Sequence, residues 1–414
     1  MSASTADPLR LPPLRIGMFT DTYAPQVNGV AVSLQLVTQG LREAGHEVTV
    51  FAPRFPGYED KEPKVYRIPS LKYLNKPPIY VAVPGTPRTT WSLGRSQFDV
   101  LHAHSPLTVG LLAYLTASAH NLPLIYTYHT SITDYTHYVK VVGETHVMRR
   151  AARWFSTAST NLGDQIVVPS PKFERLLLSQ KVKRPIHIVP NGIELDRFRR
   201  SKVKPPALYH NRMGLHPDSP ILLFVGRIDP EKNLNFLLDA FEIVSKRFAN
   251  AHLVFAGDGS ARKDLEAKAA ALSSAHRIHF LGMVNRVDLP DLLHEAVMFL
   301  SASATEVHPI SMIEAIAAGL PVVAVQDEAF EGMVEDGVNG RAVPMNVEAF
   351  SDAICDLLAN PEFMESFGRR SEELSEKFSI QTQVNTLIKL YTESILQNWR
   401  GWDAFRRRIF SGWK

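Results

Sequence analysis

The stretch Glu306-Val-His-Pro-Ile-Ser-Met-Ile-Glu314, which continues as Ala315-Ile-Ala-Ala-Gly-Leu-Pro-Val-Val-Ala324, decides the fold of this chain. A proline precedes the segment 311–318 and a Gly-Leu-Pro turn follows it, so this segment is predicted to form a short helix. The apolar residues after the turn predict a buried strand. A loop, a helix and a strand in this order form a ligand site at the carboxyl end of a parallel sheet. We therefore predict that Glu306 lies in the loop and Glu314 in the helix, although two glutamates at this spacing also occur on solvated helices.

A second cluster lies upstream, at Phe224-Val-Gly-Arg-Ile-Asp-Pro-Glu-Lys-Asn233. The apolar run 221–225 predicts a buried strand, and the segment 232–241 predicts a helix. Arg227 and Lys232 stand beside the amino end of that helix, where free backbone N–H groups and the helix dipole also favour an anion. A solvated pair of cations in a loop is the alternative. Together with the two carboxylates, the cluster predicts a ligand with phosphate at one end and hydroxyls at the other, such as a nucleotide-activated sugar.

Length and composition limit the class of protein. A chain of 414 residues exceeds what one core supports, so two domains are expected. The net charge of +3 is too small to indicate a nucleic-acid partner. The single cysteine, Cys355, excludes an internal disulfide, and we interpret it as a packing residue in a reducing compartment. The sequence has no signal-peptide pattern and no run of about eighteen apolar residues, so we expect a cytoplasmic protein.

Predicted strands alternate with helices along most of the chain, which indicates parallel sheets covered by helices on both faces. The segment 31–44 predicts the first helix, and 380–397 predicts a long closing helix. Between residues 197 and 220 the periodicity fails, and we interpret this stretch as an interdomain linker. The predicted strands are 15–20, 47–52, 65–68, 100–103, 124–128, 165–169 and 186–189 before the linker, and 221–225, 252–256, 278–281, 298–301, 322–325 and 340–343 after it.

The order of these motifs resembles that of the retaining glycosyltransferases of the GT-B fold. That family carries the signature G-R-x4-K-N, matched at 226–233, and E-x7-E followed by E-A-x-A-x-G-x-P-V-V-A, matched at 306–324. Within the family, Phe19-Thr-Asp-Thr-Tyr with Asn28-Gly29, and Tyr126-Thr-Tyr-His129-Thr with Asp-Tyr-Thr-His-Tyr138, are most similar to diacylglycerol glucosyltransferases. Further matching motifs lie at 99–104, 189–193, 256–259, 280–282 and 335–340.

The resemblance implies an α/β protein of the GT-B architecture, in which two doubly wound Rossmann-like domains face each other across a cleft and the C-terminal helix crosses back to the first domain. We predict an acceptor-side domain at 1–200, a nucleotide-sugar-binding domain at 201–380, and a crossover helix with a basic, aromatic tail at 381–414. The end of the tail, residues 399–414, holds three of the five tryptophans and five cations against one acid. This composition predicts contact with an anionic membrane surface. Packing of the tail on the first domain, or disorder, are the alternatives.

The resemblance also implies site residues. It assigns His129 to the sugar's outer hydroxyl, Glu306 to the other donor-sugar hydroxyls and Glu314 to the nucleotide ribose. Arg227 and Lys232 are expected to stabilise the charge that grows on the leaving diphosphate. His129, Arg227, Lys232 and Glu306 form the predicted catalytic set, and the predicted substrate-binding set is Asp21, Asn28, Gly29, Gly226, Met283, His308, Ile310, Ser311 and Glu314.

Two residues depart from the family pattern. Pro309 stands where the family usually has glycine, and proline offers no N–H to a diphosphate. His308 stands where the family has an aromatic residue or glutamine. We expect a neighbouring amide to replace the missing backbone contact.

Several motifs of other enzyme classes are missing from the sequence. It contains no G-x-G-x-x-G between Gly17 and Gly29, no P-loop and no Asp-x-Asp, which disfavours dinucleotide binding, phosphate hydrolysis and a metal-bridged diphosphate. His102-x-His104 remains an alternative pair of metal ligands.

We therefore predict a cofactor-free, metal-independent, retaining transferase that moves glucose from UDP-glucose to a lipid, diacylglycerol, at the inner face of the cell membrane. The alternatives are a GDP-mannose-dependent mannosyltransferase acting on a phosphoinositide or glycan, and a non-catalytic protein that binds nucleotide sugars. A fold-sharing epimerase is disfavoured, because the E-x7-E series belongs to the transferases.

Overall fold

The computed structural model describes residues 12–26, 28–75, 78–86, 89, 93–94, 96–106, 108–129, 154, 156–199, 207–303 and 306–398. The chain divides into two compact units, of which the first is Met1–Pro190 together with Gln381–Lys414 and the second is Asn191–Ile380. Each unit contains its own parallel sheet.

The first unit is built on a seven-stranded sheet. Within the described residues, the strands of this unit are β1 (Arg15–Phe19), β2 (Glu47–Pro53), β3 (Val65–Ile68), β4 (Ser70–Asn75), β5 (Pro78–Ala82), β6 (Val100–Ala103), β7 (Leu124–Thr127), β8 (Gln165–Val168) and β9 (Ile186–Ile188). The helices described there are α1 (Gly29–Glu43), α2 (Thr108–His120) and α3 (Pro171–Ser179), besides α11 (Ile380–Gln397), which is described below. The parallel order is β3-β2-β1-β6-β7-β8-β9, while β4 and β5 form a separate antiparallel hairpin. Strands β6, β7 and β8 are buried along their whole length, as expected for a sheet covered on both faces.

The second unit is built on a six-stranded sheet. Its strands are β10 (Ile221–Val225), β11 (His252–Ala256), β12 (Ile278–Gly282), β13 (Met298–Ser301), β14 (Val322–Val325) and β15 (Gly340–Val343). Its helices are α4 (Leu208–Met213), α5 (Leu234–Arg247), α6 (Arg262–Ala270), α7 (Leu289–Glu295), α8 (Ile310–Ala317), α9 (Val347–Ala359) and α10 (Pro361–Ser375). The strands are parallel in the order β12-β11-β10-β13-β14-β15. Phe241 of α5 and Phe350 of α9 are fully buried in one core cluster with residues of these strands.

The last helix, α11 (Ile380–Gln397), belongs to the first unit. Its Tyr391 is fully buried, and the phenol oxygen lies 2.6 Å from Nδ1 of His102. The Gln165 amide also donates to the Gln397 side chain over 3.2 Å. The predicted crossover of this helix is therefore confirmed.

Every predicted strand is present, with ends that agree to within one residue. This agreement, the two parallel sheets and the crossover helix confirm the predicted fold class. Helix α8 likewise starts and ends one residue earlier than the predicted 311–318.

The predicted linker at 197–220 is wrong. Helix α4 lies inside this stretch, and the Glu295 carboxylate at the end of α7 accepts hydrogen bonds from the backbone N–H groups of Tyr209 and His210. Before it, Ile193 is already bridged to Ser379. The division between units at Pro190 and Asn191 consequently lies before the boundary at residue 200 that the sequence suggested.

Two further features differ from the sequence-based expectation. The hairpin β4–β5 was not predicted. The helix expected at 232–241 begins only at Leu234, because Pro230–Lys232 form a short 3-10 turn and Asn233 has a left-handed backbone with φ of 52°. The tail 399–414 lies outside the described residues. Within the described ranges, no helix combines the length and the apolar composition that a bilayer-spanning segment requires.

Backbone segments approach each other closely at the carboxyl end of the second sheet. A Cβ atom on Gly257 would lie 1.8 Å from the carbonyl oxygen of Gly226, and one on Gly259 would lie 2.3 Å from that of Ile228. These contacts place the loop after β11 directly against the loop after β10. Only glycine fits there without moving a main chain.

We expect Gly257→Ala to destabilise the protein by about 1–3 kcal/mol, because the added methyl group forces the two loops apart. Gly85→Ala is the matched control, since a Cβ there meets no atom within 4 Å. Thermal unfolding of both variants measures the difference. Equal melting temperatures would contradict the close approach.

Candidate active site

The candidate site lies where the strand order of the second sheet reverses, between β10 and β13. From β10 the chain passes to β11 and β12 on one side, and later to β13, β14 and β15 on the other. The loops that follow β10 and β13 therefore leave neighbouring strands at the same edge and diverge, which opens a crevice suited to a ligand. The first loop carries Arg227 and Lys232, and the second carries Glu306.

Lys232 and Glu306 are in direct contact in this crevice. The Lys232 ammonium donates to the Glu306 carboxylate over 2.6 Å, and the two side chains are only 15% and 13% exposed. The 3-10 turn before α5 holds the lysine, and Ser303 donates to the carbonyl of Glu231 within that turn. Two residues that the sequence separates by 74 positions are thus brought together.

Arg227 lies nearer the surface and has different partners. Its guanidinium contacts the carboxylates of Asp229 and Glu231, the latter over 2.8 Å, and its side chain is 53% exposed. Asp229 is itself held by the backbone N–H and the hydroxyl of Ser260, both at 2.8 Å. The two carboxylate partners of Arg227 were not recognised in the sequence, because acidic residues beside an arginine have no distinctive pattern. A phosphate that binds Arg227 has to compete with them.

Glu314 is buried on α8. Its carboxylate lies 3.5 Å from Nη2 of Arg286, and Arg197 donates to the backbone carbonyl of Arg286. Burial raises the pKa of Glu314 to about 7, while the two arginines partly counteract this effect. Burial also lowers the pKa of Arg286. Sequence analysis missed Arg286, which follows the edge strand β12 in a loop without a recognisable motif.

The start of α8 offers backbone donors. Pro309 occupies the N-cap position without a side-chain cap, and Ile310 and Ser311 at the first turn are partly exposed. The first N–H groups of a helix have no intrahelical partner, so these two amides are suited to an anion.

His308, which the sequence placed among the substrate-binding residues, is a buried side chain. Its ring is buried edge-on to Phe378, with 5.6 Å between ring centres, and Nδ1 has no hydrogen-bond partner within the described residues. Its backbone carbonyl accepts a hydrogen bond from the Asn191 amide, and burial lowers the pKa of the ring to about 3. The side chain is placed as a neutral packing group.

Gly226 and Met283 lie at different points of the sheet edge. Gly226 follows β10 directly, and its N–H donates to the Ala256 carbonyl over 3.0 Å. Met283 follows β12 at the outer edge of the sheet and is 65% exposed. The structure places Gly226 beside the crevice and Met283 two strands away from it.

The first unit has its own strand reversal, between β1 and β6. Asp21 follows β1, and its carboxylate accepts from the hydroxyls of Ser105 and Thr108 and from the backbone N–H of Val109. Burial raises the pKa of Asp21. Asp21 thus anchors the start of α2, a structural contact that the sequence did not reveal.

Asn28 and Gly29 open α1. The Asn28 side chain accepts from the N–H of Ala31 over 2.9 Å, so it caps the helix. A Cβ added to Gly29 would meet no atom within 4 Å, and the backbone is therefore accessible there. This is the arrangement expected if a ligand approaches the main chain.

Three histidines gather at the ends of β6 and β7. Nδ1 of His104 lies 2.9 Å from Nε2 of His129, and the His102 and His104 rings are 4.0 Å apart. Burial lowers the pKa of His102 to about 3 and that of His129 to about 4, and it lowers the pKa of His104 well below its ordinary value. All three are neutral near pH 7. His129 alone keeps part of its surface exposed.

The ring nitrogens of His102 and His104, the alternative metal ligands, already have partners within the protein. Both ring nitrogens of His102 have partners at 2.6 Å, the hydroxyls of Tyr391 and Thr127. Among the residues that the structure describes, no group of three or more His, Cys, Asp or Glu side chains is arranged to hold a metal ion.

The raised pKa of Glu314 predicts a pH dependence of stability. The folded state binds more protons than the unfolded state between the ordinary pKa near 4.5 and the folded value of about 7, so stability falls as the pH rises through this range. Compared with Glu314→Gln, the wild type should lose on the order of 2–3 kcal/mol between pH 4.5 and pH 8. Urea denaturation measures this difference. The attraction between Arg286 and the ionised carboxylate is already included in the folded pKa of about 7, so it adds no separate pH dependence.

Glu373→Gln is the control for this measurement, since Glu373 pairs with Arg370 at the surface. A Glu314→Gln variant whose stability follows that of the wild type at every pH would show that the carboxyl group does not titrate in this range.

Two family descriptions match the chain. "Glycosyl transferases group 1" matches residues 208–374, in the second unit, and "Glycosyltransferase Family 4" matches residues 27–197, almost all in the first unit. The first region contains Arg227, Lys232, Glu306 and Glu314, and the second contains the histidine cluster, whereas Asp21 precedes both.

Curated relatives match over nearly the whole chain. An alpha-monoglucosyldiacylglycerol synthase of Streptococcus pneumoniae is 30% identical over 393 residues, which cover 93% of this chain and 87% of that protein. The enzyme of the same name from Acholeplasma laidlawii is 28% identical over 393 residues, covering 93% of this chain and 98% of that protein.

Among solved structures, the sucrose-phosphate synthase of Thermosynechococcus elongatus has a TM-score of 0.75 at 20% identity, covering 93% of this chain and all of that one. This likeness concerns the fold. Together with the relatives and with both family descriptions, it shows that the chain belongs to the GT-B glycosyltransferases that carry a group 1 glycosyltransferase domain.

Proposed function

We propose that the protein is a retaining hexosyltransferase that moves glucose from UDP-glucose to diacylglycerol at the cytosolic face of the membrane, without a metal ion. The observation that carries the proposal is the Lys232–Glu306 pair at the strand reversal of the second sheet. An ammonium suits a diphosphate, and a carboxylate suits sugar hydroxyls. The choice of glucose and of diacylglycerol is supported by the names of the two synthases that match over 93% of this chain.

The second unit supplies groups for each part of the donor. Lys232 and the amides of Ile310 and Ser311 are suited to the diphosphate, where negative charge grows as the sugar leaves. Arg227 joins them by exchanging one of its two carboxylate partners. Glu306 accepts hydrogen bonds from sugar hydroxyls, and Glu314 accepts them from the ribose. These cations and amides are the basis for proposing that the leaving group departs without a metal.

In this proposal the acceptor hydroxyl attacks the sugar from the same face from which the diphosphate leaves. The anomeric configuration is therefore retained. The acceptor hydroxyl forms the new bond to the anomeric carbon while the bond to the diphosphate oxygen breaks. The hydroxyl proton passes to the departing diphosphate. No covalent sugar–enzyme intermediate is required. His129 is assigned to a hydroxyl of the sugar.

The test is a donor panel. The full chain is incubated with diacylglycerol vesicles, a chelator and, separately, UDP-glucose, UDP-galactose, UDP-N-acetylglucosamine or GDP-mannose. We expect one product by lipid mass spectrometry, glucosyl-diacylglycerol from UDP-glucose, with an α linkage by NMR. Transfer from GDP-mannose would favour the mannosyltransferase instead. Donor hydrolysis without lipid product would leave the acceptor to be found among glycans and small molecules.

Lys232→Met is the matched site variant for this panel. It should reduce kcat/KM by on the order of a hundredfold or more, because an oriented charge on the leaving group is lost. Lys268→Met is the control, since Lys268 also forms a 2.6 Å ion pair in the second unit, with Asp239, but lies outside the crevice. Equal activity of the two variants would argue for a protein that only binds nucleotide sugars or for a different site.

An exposed apolar face on the hairpin β4–β5 supports contact with a lipid surface. Leu71 is 69% exposed, Tyr73 66% and Val81 38%, and Leu71 pairs directly with Val81 across the hairpin. The opposite face is occupied, because Tyr80 packs against Phe55 with ring centres 4.7 Å apart. Exposed Lys72, which pairs with Tyr80 across the hairpin, adds a positive charge near this face. Such a surface suits the interface of an anionic bilayer.

We expect Leu71→Ser/Tyr73→Ser to weaken cosedimentation with anionic phospholipid vesicles about tenfold or more, because two partly inserted side chains are lost. Met345→Ser/Phe363→Ser is the control, since these two residues of the second unit are 51% and 55% exposed. A separate deletion of residues 399–414 tests the tail. If neither the hairpin variant nor the deletion alters binding, the membrane contact lies elsewhere or is not made.

A further inference from the structure

The His102-x-His104 motif has no role in the donor site, yet it lies against His129. His104 follows β6 and His129 lies just past the end of β7, and these two strands are neighbours with Ala103 paired to Tyr126. The two histidines therefore emerge side by side at one edge of the sheet. Their contact, 2.9 Å from Nδ1 of His104 to Nε2 of His129, is a hydrogen bond between two neutral rings.

The surroundings of His104 decide which ring donates. Nε2 of His104 lies 3.3 Å from the sulfur of Met18, in a buried position. A thioether sulfur can only accept, so the proton of His104 belongs on Nε2. A neutral imidazole has a single N–H, and Nδ1 of His104 is consequently an acceptor.

The tautomer of His104 also determines the tautomer of His129. Because Nδ1 of His104 accepts, Nε2 of His129 has to carry the hydrogen of the bond between them. His129 is also neutral near pH 7, since burial lowers its pKa to about 4. Its second nitrogen, Nδ1, then has a lone pair and no hydrogen. His129 is the partly exposed member of the cluster, and with Nε2 bonded to His104 its Nδ1 is the ring nitrogen left for a ligand.

His102 keeps His104 in this orientation. The His102 ring is tilted by 34° against that of His104, with 4.0 Å between the ring centres, and its own nitrogens are held by Thr127 on β7 and Tyr391 on α11. The ring of His104 thus has a neighbour on one side and hydrogen bonds at both nitrogens. The orientation of His129 depends on this packed series, which links it to the last helix of the chain.

We propose that His104 is a positioning residue for the transfer reaction: by accepting the Nε2–H of His129, it leaves Nδ1 of His129 as an acceptor for a substrate hydroxyl. The inference rests on the proposed function in that the hydroxyl belongs to the sugar or to its acceptor. A hydroxyl donates to such a lone pair, whereas a phosphate or carboxylate oxygen does not. His129 therefore distinguishes the hydroxyl-bearing part of the substrate from its charged part.

The first test is spectroscopic and needs no substrate. The full chain is labelled with 15N-histidine, and the ring signals of residues 104 and 129 are assigned by comparison with His104→Leu and His129→Gln. We expect a protonated Nε2 and an unprotonated Nδ1 in both rings, with a scalar coupling across the bond from Nε2–H of His129 to Nδ1 of His104. A proton on Nδ1 of His129 at pH 7 would overturn the proposal.

The second test is catalytic and uses the donor that the panel identifies. His104→Leu should lower kcat/KM by on the order of tenfold to a hundredfold, because His129 loses the acceptor that orients it. His104→Asn keeps an oxygen at the position of Nδ1 and should recover most of this loss. A His104→Asn variant as impaired as His104→Leu, or a folded His104→Leu variant with wild-type kcat/KM, would overturn the role of the acceptor.

His46→Leu is the control for a general loss of stability. Nδ1 of His46 also accepts a hydrogen bond, from the backbone N–H of Leu14 over 3.0 Å, but in a different part of the first unit. It should lower the melting temperature without changing kcat/KM. If the panel detects no glycosyl transfer, the proposed function fails while the NMR assignment still decides how His104 and His129 are arranged.

Discussion

The parallel arrangement of the strands is the constraint on which the rest of this structure depends. All strands of such a sheet end at one edge, and the loops that leave two neighbouring strands diverge only where the strand order reverses. In the second unit this happens between β10 and β13, and in the first between β1 and β6. The groups of interest lie after these strands: Lys232 and Glu306 in one unit, and Asp21 and His104 in the other.

Charged groups in the second unit are held by one another. Lys232 pairs with Glu306, Arg227 with Asp229 and Glu231, and Arg286 lies beside Glu314. A partly buried charge is costly without a partner, and Lys232 and Glu306, each less than a fifth exposed, supply that partner to each other. The same pairs are also the first groups that an ionic ligand has to rearrange. A donor with a diphosphate and several hydroxyls offers an anion to the cations and hydrogen-bond donors to the carboxylates.

The first unit uses neutral groups instead. His102, His104 and His129 form a series in which ring packing and hydrogen bonds, not charge, set the orientation of each ring. In such a series the tautomer of one ring determines the tautomer of the ring bonded to it, because every neutral imidazole has one donor and one acceptor. Tyr391 ties this series to α11, so the return of the last helix to the first unit also completes the surroundings of the histidines.

Much of this protein can be read from its sequence, because strands buried on both faces leave continuous apolar runs and glycines mark their ends. All thirteen strands of the two parallel sheets, helix α8 and the residues of the two motif clusters were predictable in this way. The structure of the segment predicted as a linker, 197–220, was not predictable in this way. Its helix α4 is too short to produce a hydrophobic period, and its first N–H groups donate to Glu295, which is distant in sequence.

The sequence by itself therefore determined the fold class, the family and the chemical types present at the site. Only the tertiary structure decided which groups meet: that Lys232 contacts Glu306, that Arg286 faces Glu314, that Asp21 anchors α2 and that His104 accepts from His129. The physical reason is the range of the interactions. Secondary structure follows from local periodicity, whereas hydrogen bonds and ion pairs depend on distances of about 3 Å between residues far apart in the chain, which only the folded packing sets.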